Sequence, residues 1–98
     1  MAGTESGLAA VRVIYTGNVQ GVGFRFSALE VSRRFDVDGY VRNLPDGAVE
    51  LVALGEAAQI EQFLDDVAHR MRSHIEQARR EDISPTRGEF PSPFQIRL

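Results

Sequence analysis

Residues Gly39–Leu54 read GYVRNLPDGAVELVAL, two apolar-rich runs around one turn. Pro45 pre-sets φ, Asp46 tolerates turn geometry and Gly47 supplies a positive φ. Leu44, just ahead of the proline, is pushed toward extended backbone, as a strand end should be. Gly39–Asn43 and Ala48–Leu54 are therefore the two arms of a hairpin. What flanks the hairpin decides the fold. Upstream, Leu8–Tyr15 reads as a strand, with Val11, Val13 and Tyr15 alternating against Arg12, Ile14 and Thr16. Phe24, Ala28, Val31 and Phe35 then mark one face of a helix. Downstream, Ile60, Phe63, Leu64, Val67 and Met71 repeat that period, with Asp66 and Arg70 expected to pair on the wet face. The end of this second helix is open between residues 70 and 75, because RSHIEQARREDI (Arg72–Ile83) holds no glycine or proline. Ile75–Ile83 lacks an apolar helical stripe and is read as a strand. Ser84–Pro93 is a loop, and Phe94, Ile96 and Leu98 alternate as a last short strand. The order is βαββαβ plus a terminal strand. It predicts an α+β, ferredoxin-like split βαβ sandwich, with two helices on one face of a mostly antiparallel sheet.

The chain has 98 residues, so one domain is expected, here 8–98 behind a loose polar tail at 1–7. Hydrophobic residues make up 43%, enough for a core. There is no cysteine, which excludes disulfides and thiolate metal sites and fits a cytoplasmic home. No apolar run is long enough to span a bilayer, and the first ten residues carry no secretory pattern. The net charge of −3 argues against nucleic acid or an anionic membrane as partner, since both need positive patches. A local anion site remains compatible with it. The protein is expected to act as a monomer.

Such a site is visible in TGNVQGVGFRF (Thr16–Phe26), where Gly17, Gly21 and Gly23 precede Arg25. Glycines let a guest approach the backbone closely. A helix start offers unpaired N–H groups and a positive dipole end, and Arg adds a planar charged fork suited to phosphate. The lysine and hydroxyl of the nucleotide P-loop are missing, and so is the third glycine of the dinucleotide fingerprint. In a split βαβ unit the first and second strands run parallel with the third between them. The glycine loop and Asn43 then lie at one edge of the sheet, roughly 9–10 Å apart. A phosphate-sized anion and one water would fill that gap.

GNVQGVGFRF (Gly17–Phe26) followed by GYVRNLPDGAVEL (Gly39–Leu51) resembles the two signature segments of the acylphosphatases, in order and near-matching spacing. The likeness reaches weakly to FQIRL (Phe94–Leu98). Tyr40 stands where the family often has Trp, and RMRSH (Arg70–His74) replaces a common Gly-Pro. The resemblance implies hydrolysis of the carboxyl–phosphate bond of acyl phosphates without metal or cofactor, with inorganic phosphate as product. By motif match, Arg25 and the amides of Val19, Gln20, Gly21, Val22, Gly23 and Phe24 would bind the phosphate, and Asn43 would hold the attacking water.

Such a site needs few chemical groups. The leaving carboxylate has a conjugate acid of pKa ~4 and departs without a proton. A loose phosphoryl transition state asks little of the nucleophile. Other residues read as structural. Asn before a turn often bonds local backbone. Phe26 could line the substrate mouth or pack on the core, and packing is the expectation; Tyr40 is expected to cover a sheet face. His69, His74, Asp65–Asp66 and Glu81–Asp82 are expected to be solvated. Two alternatives remain open. An RNA-binding module of the same fold would need the Gly-Phe/Tyr-Gly/Ala-Phe pattern and a basic face, and GVGFRF is no match. A regulatory domain that binds phosphate without turnover is not separable by sequence.

Overall fold

The computed structural model describes residues 7–86 and 89–98. The elements run β1 (Leu8–Gly17), α1 (Phe24–Ser32), β2 (Val37–Asn43), β3 (Val49–Glu56), α2 (Ala57–Arg70), β4 (Ile75–Ile83) and β5 (Gln95–Ile96). They form one sheet of order β4-β1-β3-β2-β5. β3 pairs antiparallel with both β1 and β2, so those two run parallel on either side of it. β4 joins β1 antiparallel, and β5 joins β2 parallel. This is the ferredoxin-like α+β sandwich expected from the hairpin and its flanks.

Alternation along each strand sends one set of side chains under the helices. Val11, Val13 and Tyr15 of β1, Val41 of β2, and Val49, Leu51 and Ala53 of β3 meet Phe24, Ala28 and Val31 of α1. Ile60, Phe63 and Val67 of α2 complete the layer, with Met71 and Phe94. The Tyr15 and Phe24 rings meet at a 50° tilt with 4.8 Å between centroids, and Phe63 meets Phe94 edge-on at 5.2 Å. Each fully buried large side chain contributes roughly 1.5–3 kcal/mol of transfer free energy.

The opposite sheet face is covered by long polar side chains. Arg42, Glu50, Arg12 and Glu81 come from β2, β3, β1 and β4 in turn and form one row of ion pairs. Arg42 Nε and Arg12 Nε each donate to a different Glu50 oxygen at 2.6 Å, and Arg12 Nη1 donates to Glu81 at 3.0 Å. Beside this row the Arg97 guanidinium lies 3.8 Å from the centroid of the Tyr40 ring. Aliphatic stems of such residues shield the sheet while their heads meet water or a partner.

Several details differ from expectation. The α-helix α1 stops at Ser32, three residues short of Phe35, where the chain turns by 33→30, 34→31 and 35→32 hydrogen bonds. Asp66 and Arg70 do not pair with each other. Asp66 accepts from Arg34 at 3.0 Å, and Arg70 pairs with Glu30, so Arg70 reaches across to α1 and Asp66 to the turn that follows it. Partners on and just after α1 lie within ion-pair distance, and the next turn of α2 does not. The terminal strand shrinks to Gln95–Ile96, with Leu98 fully exposed. α2 ends at Arg70 and a turn leads into β4, which settles the open boundary in favour of the strand. Six of the seven tail residues, and Arg87 and Gly88 of the Ser84–Pro93 loop, lie outside the described residues.

Candidate active site

The loop after β1 is anchored at both ends before it opens. Asn18 N donates to His74 O at 3.0 Å, tying the end of β1 to the start of β4. Val19 and Phe24 are buried in the core at 1% and 2% exposure, and Val22 packs against it. Between these apolar pegs the backbone at Gly21 and Gly23 adopts φ of 78° and 81°. A Cβ at either position would meet no atom within 4 Å, so these glycines serve backbone shape and not packing. Gly23 is the N-cap of α1 and supplies no side-chain cap. The first helical bond runs from Ser27 N to Gly23 O at 2.9 Å. The amides of Phe24, Arg25 and Phe26 therefore have no partner within the helix, the ordinary condition of a first turn.

Arg25 and Asn43 come together here. They line one pocket of about 170 Å³ with Gly21, Gly23 and Phe26, floored by Val19 and Phe24. Neither side chain has a hydrogen-bond or ion-pair partner among the described residues. For Asn43 this matters, because the bland alternative was a local bond to the turn. That work is done by other residues. Gln20 Nε2 donates to both Leu44 O and Ala48 O at 2.8 Å, and Asp46 Oδ1 accepts from Ala48 N at 3.0 Å. Gln20 thus contributes to the loop, but its side chain clamps the glycine loop onto the β2–β3 turn and does not line the pocket. Sequence reasoning assigned Gln20 only a backbone amide. The signal it missed is that a glutamine inside a glycine-rich loop carries an amide nitrogen with two N–H donors, able to bridge two facing carbonyls.

Phe26 is a correction. It does not pack on the core; it stands 72% exposed at the pocket mouth. Its place in the first turn, next to Arg25, turns it away from the sheet, since Phe24 and Ala28 already occupy the inner stripe.

Arg25 differs electrostatically from Arg12, Arg34, Arg42, Arg70 and Arg80, whose guanidiniums are held by carboxylates. Glu81 and Glu50 keep Arg12 paired, and Arg80 grips Glu61 through two bonds of 2.9 and 2.6 Å. Burial alone would raise the Glu50 carboxyl, but hydrogen bonds from Arg12 and Arg42 outweigh it and hold the group below the ordinary carboxylate range. Burial pushes the Tyr15 phenol up, so that ring acts as a core residue. Among the described residues no three His, Cys, Asp or Glu side chains gather as a metal site, and no helix is long and apolar enough to cross a membrane.

Comparison with known proteins gives a consistent picture. The acylphosphatase family model matches residues 11–96. The acylphosphatase of Archaeoglobus fulgidus is 45% identical over 60 residues, 61% of this chain and 67% of that protein. Curated relatives are matched over 56% to 72% of their own lengths. Among solved structures, an acylphosphatase from Coxiella burnetii superposes with a TM-score of 0.79 at 28% identity, covering 99% of this chain and 100% of that one. The acylphosphatase from Bacillus subtilis gives 0.79 at 25% identity, covering 92% and 99%.

Proposed function

The chain belongs to the acylphosphatase family, and from that premise we propose that it hydrolyses the carboxyl–phosphate bond of acyl phosphates to a carboxylate and inorganic phosphate. One observation carries the proposal beyond the family name. Arg25 and Asn43, 18 residues apart in sequence, line a single small pocket, and neither is spent on a structural bond among the described residues.

In the proposed reaction the phosphoryl oxygens rest against Arg25 and the amides of Val19 to Phe24. Arg25 and preorganised amides stabilise the charge that develops there. Asn43, with one acceptor and two donors, orients a water in line with the scissile bond. The water oxygen bonds to phosphorus as the bond from phosphorus to the carboxyl oxygen breaks. The electron pair leaves with the carboxylate, and the water proton passes to a phosphoryl oxygen. The leaving group needs no proton at neutral pH, because its conjugate acid has a pKa of ~4. A general acid is then dispensable, direct attack by water uses no protein nucleophile, and the family resemblance implies no metal or cofactor. We further read the protein as a cytoplasmic monomer acting on a small-molecule acyl phosphate, with no nucleic-acid or membrane partner.

The test is hydrolysis of benzoyl phosphate in EDTA by wild type, Arg25→Ala and Asn43→Ala. Turnover by wild type, with loss of about 10²–10³-fold or more in each variant, is expected. Loss confined to Arg25→Ala would remove the role given to Asn43. A folded wild type that is stabilised by phosphate but turns over nothing would leave a regulatory anion-binding domain. A trapped phosphoenzyme would refute direct attack by water.

A further inference from the structure

The pocket around Arg25 holds about 170 Å³, below the roughly 300–1,000 Å³ that encloses a drug-sized ligand. It suits a phosphoryl group and leaves an acyl group outside. Whatever is esterified to the phosphate must therefore run over the pocket mouth. Phe26 stands there, and among the described residues only it and Leu98 are large hydrophobic side chains left exposed. The same ring also walls a second depression, of about 400 Å³, which runs along the outer side of α1 past Ser27, Leu29, Glu30 and Arg33. Phe26 thus joins the anion pocket to an open groove.

Resting on the acyl-phosphate reading, we propose that Phe26 and the groove beside it form the acyl subsite, and that this subsite selects acyl phosphates with an aryl acyl group over those with a small one. Phe26 offers a flat face for an aromatic ring, and Leu29, half-buried, continues the apolar floor. Glu30 is drawn into its ion pair with Arg70, so its charge is matched. A covalent tether fixes the distance between the phosphoryl and acyl groups. The acyl group therefore meets Phe26 without paying separately for association.

Contacts of this kind form in the ground state as well as the transition state, so they appear mainly in KM. The experiment compares phosphate release from benzoyl phosphate and acetyl phosphate by wild type, Phe26→Leu and Phe26→Ala. Wild type is expected to show the higher kcat/KM on benzoyl phosphate. The ratio of the two kcat/KM values should fall about three- to tenfold in Phe26→Ala, chiefly through the benzoyl phosphate KM, and by less in Phe26→Leu. The exposure of Phe26 makes misfolding of the variants unexpected, and a circular dichroism spectrum and thermal midpoint check it. Turnover of both substrates with the ratio unmoved in Phe26→Ala overturns the acyl subsite alone. Turnover of neither by folded wild type overturns the parent reading with it.

Discussion

Two regions of this small sheet handle arginine in opposite ways. On the face away from the helices, Arg12 and Arg42 close on Glu50 from both sides, and Arg12 continues to Glu81. At the sheet edge, Arg25 stands with glycine backbone and Asn43 and has no carboxylate partner among the described residues. The paired row covers the sheet, while the unpaired cation is left ready for an anion. A guanidinium spent on carboxylates within the fold is not available to a ligand, whereas Arg25, beside Asn43 in the pocket, has no such partner among the described residues. The same logic separates the two amide side chains of the site. The Gln20 Nε2 is engaged with the Leu44 and Ala48 carbonyls, while the Asn43 side chain has no such partner among the described residues.

The contrast should break most clearly at Arg25. In Arg25→Ala the kcat/KM loss of about 10²–10³-fold should come with a change in unfolding free energy within about 0.5 kcal/mol, read by urea denaturation. A large destabilisation would mean that Arg25 belongs to the fold after all. Glu50→Gln should do the reverse. Losing two charge-assisted bonds should cost about 1.5–3 kcal/mol of stability, with turnover of the remaining folded enzyme within about twofold of wild type. The same variant sharpens the comparison through pH. The folded carboxyl of Glu50 is depressed below its unfolded value, so its contribution is present above pH ~4.3 and is lost as pH falls through the folded value. Wild type should therefore lose stability more steeply below pH ~4.3 than Glu50→Gln does, and parallel curves would refute this. The smallest effect is expected where the two regions meet. Gln20→Ala releases the clamp between the glycine loop and the β2–β3 turn. It should cost about 1 kcal/mol. It should also lower kcat about tenfold or less, because the distance between Arg25 and Asn43 is no longer held. An effect on stability alone would make the clamp purely structural.

Periodicity and turn chemistry made most of the fold readable before any coordinates. The alternation of Val11, Val13 and Tyr15, the Leu44–Gly47 turn and the Ile60–Met71 stripe each belong to one short segment, and local physics fixes them. The meeting of Arg25 with Asn43 was also readable, because parallel β1 and β2 on either side of β3 force it. What escaped depended on neighbours across space. Glu50 looked like one polar residue in an apolar strand, and only register shows that Arg12 and Arg42 flank it. Asp66 and Arg70 had suitable helical spacing, but Glu30 on the facing helix and Arg34 just past its end lay within reach. Phe26 was expected inside because it is apolar. Its direction is set by the inner places that Phe24 and Ala28 already fill.

The placement of β3 between β1 and β2 also bears on how fast the chain can fold. Leu8 must find Glu56, and Ala10 must find Ile83, before the central ladders close. Contacts so distant in sequence cost loop entropy before they return any stabilisation, and chains dominated by them fold slowly for their size. The β2–β3 hairpin and both helices can form locally and early. The pocket cannot, because one side is the glycine loop and first turn of α1 that follow β1, the other is Asn43 at the end of β2, and those two strands do not pair with each other. A chain with native-like helices but an unclosed sheet would carry Arg25 and Asn43 and still have no pocket between them.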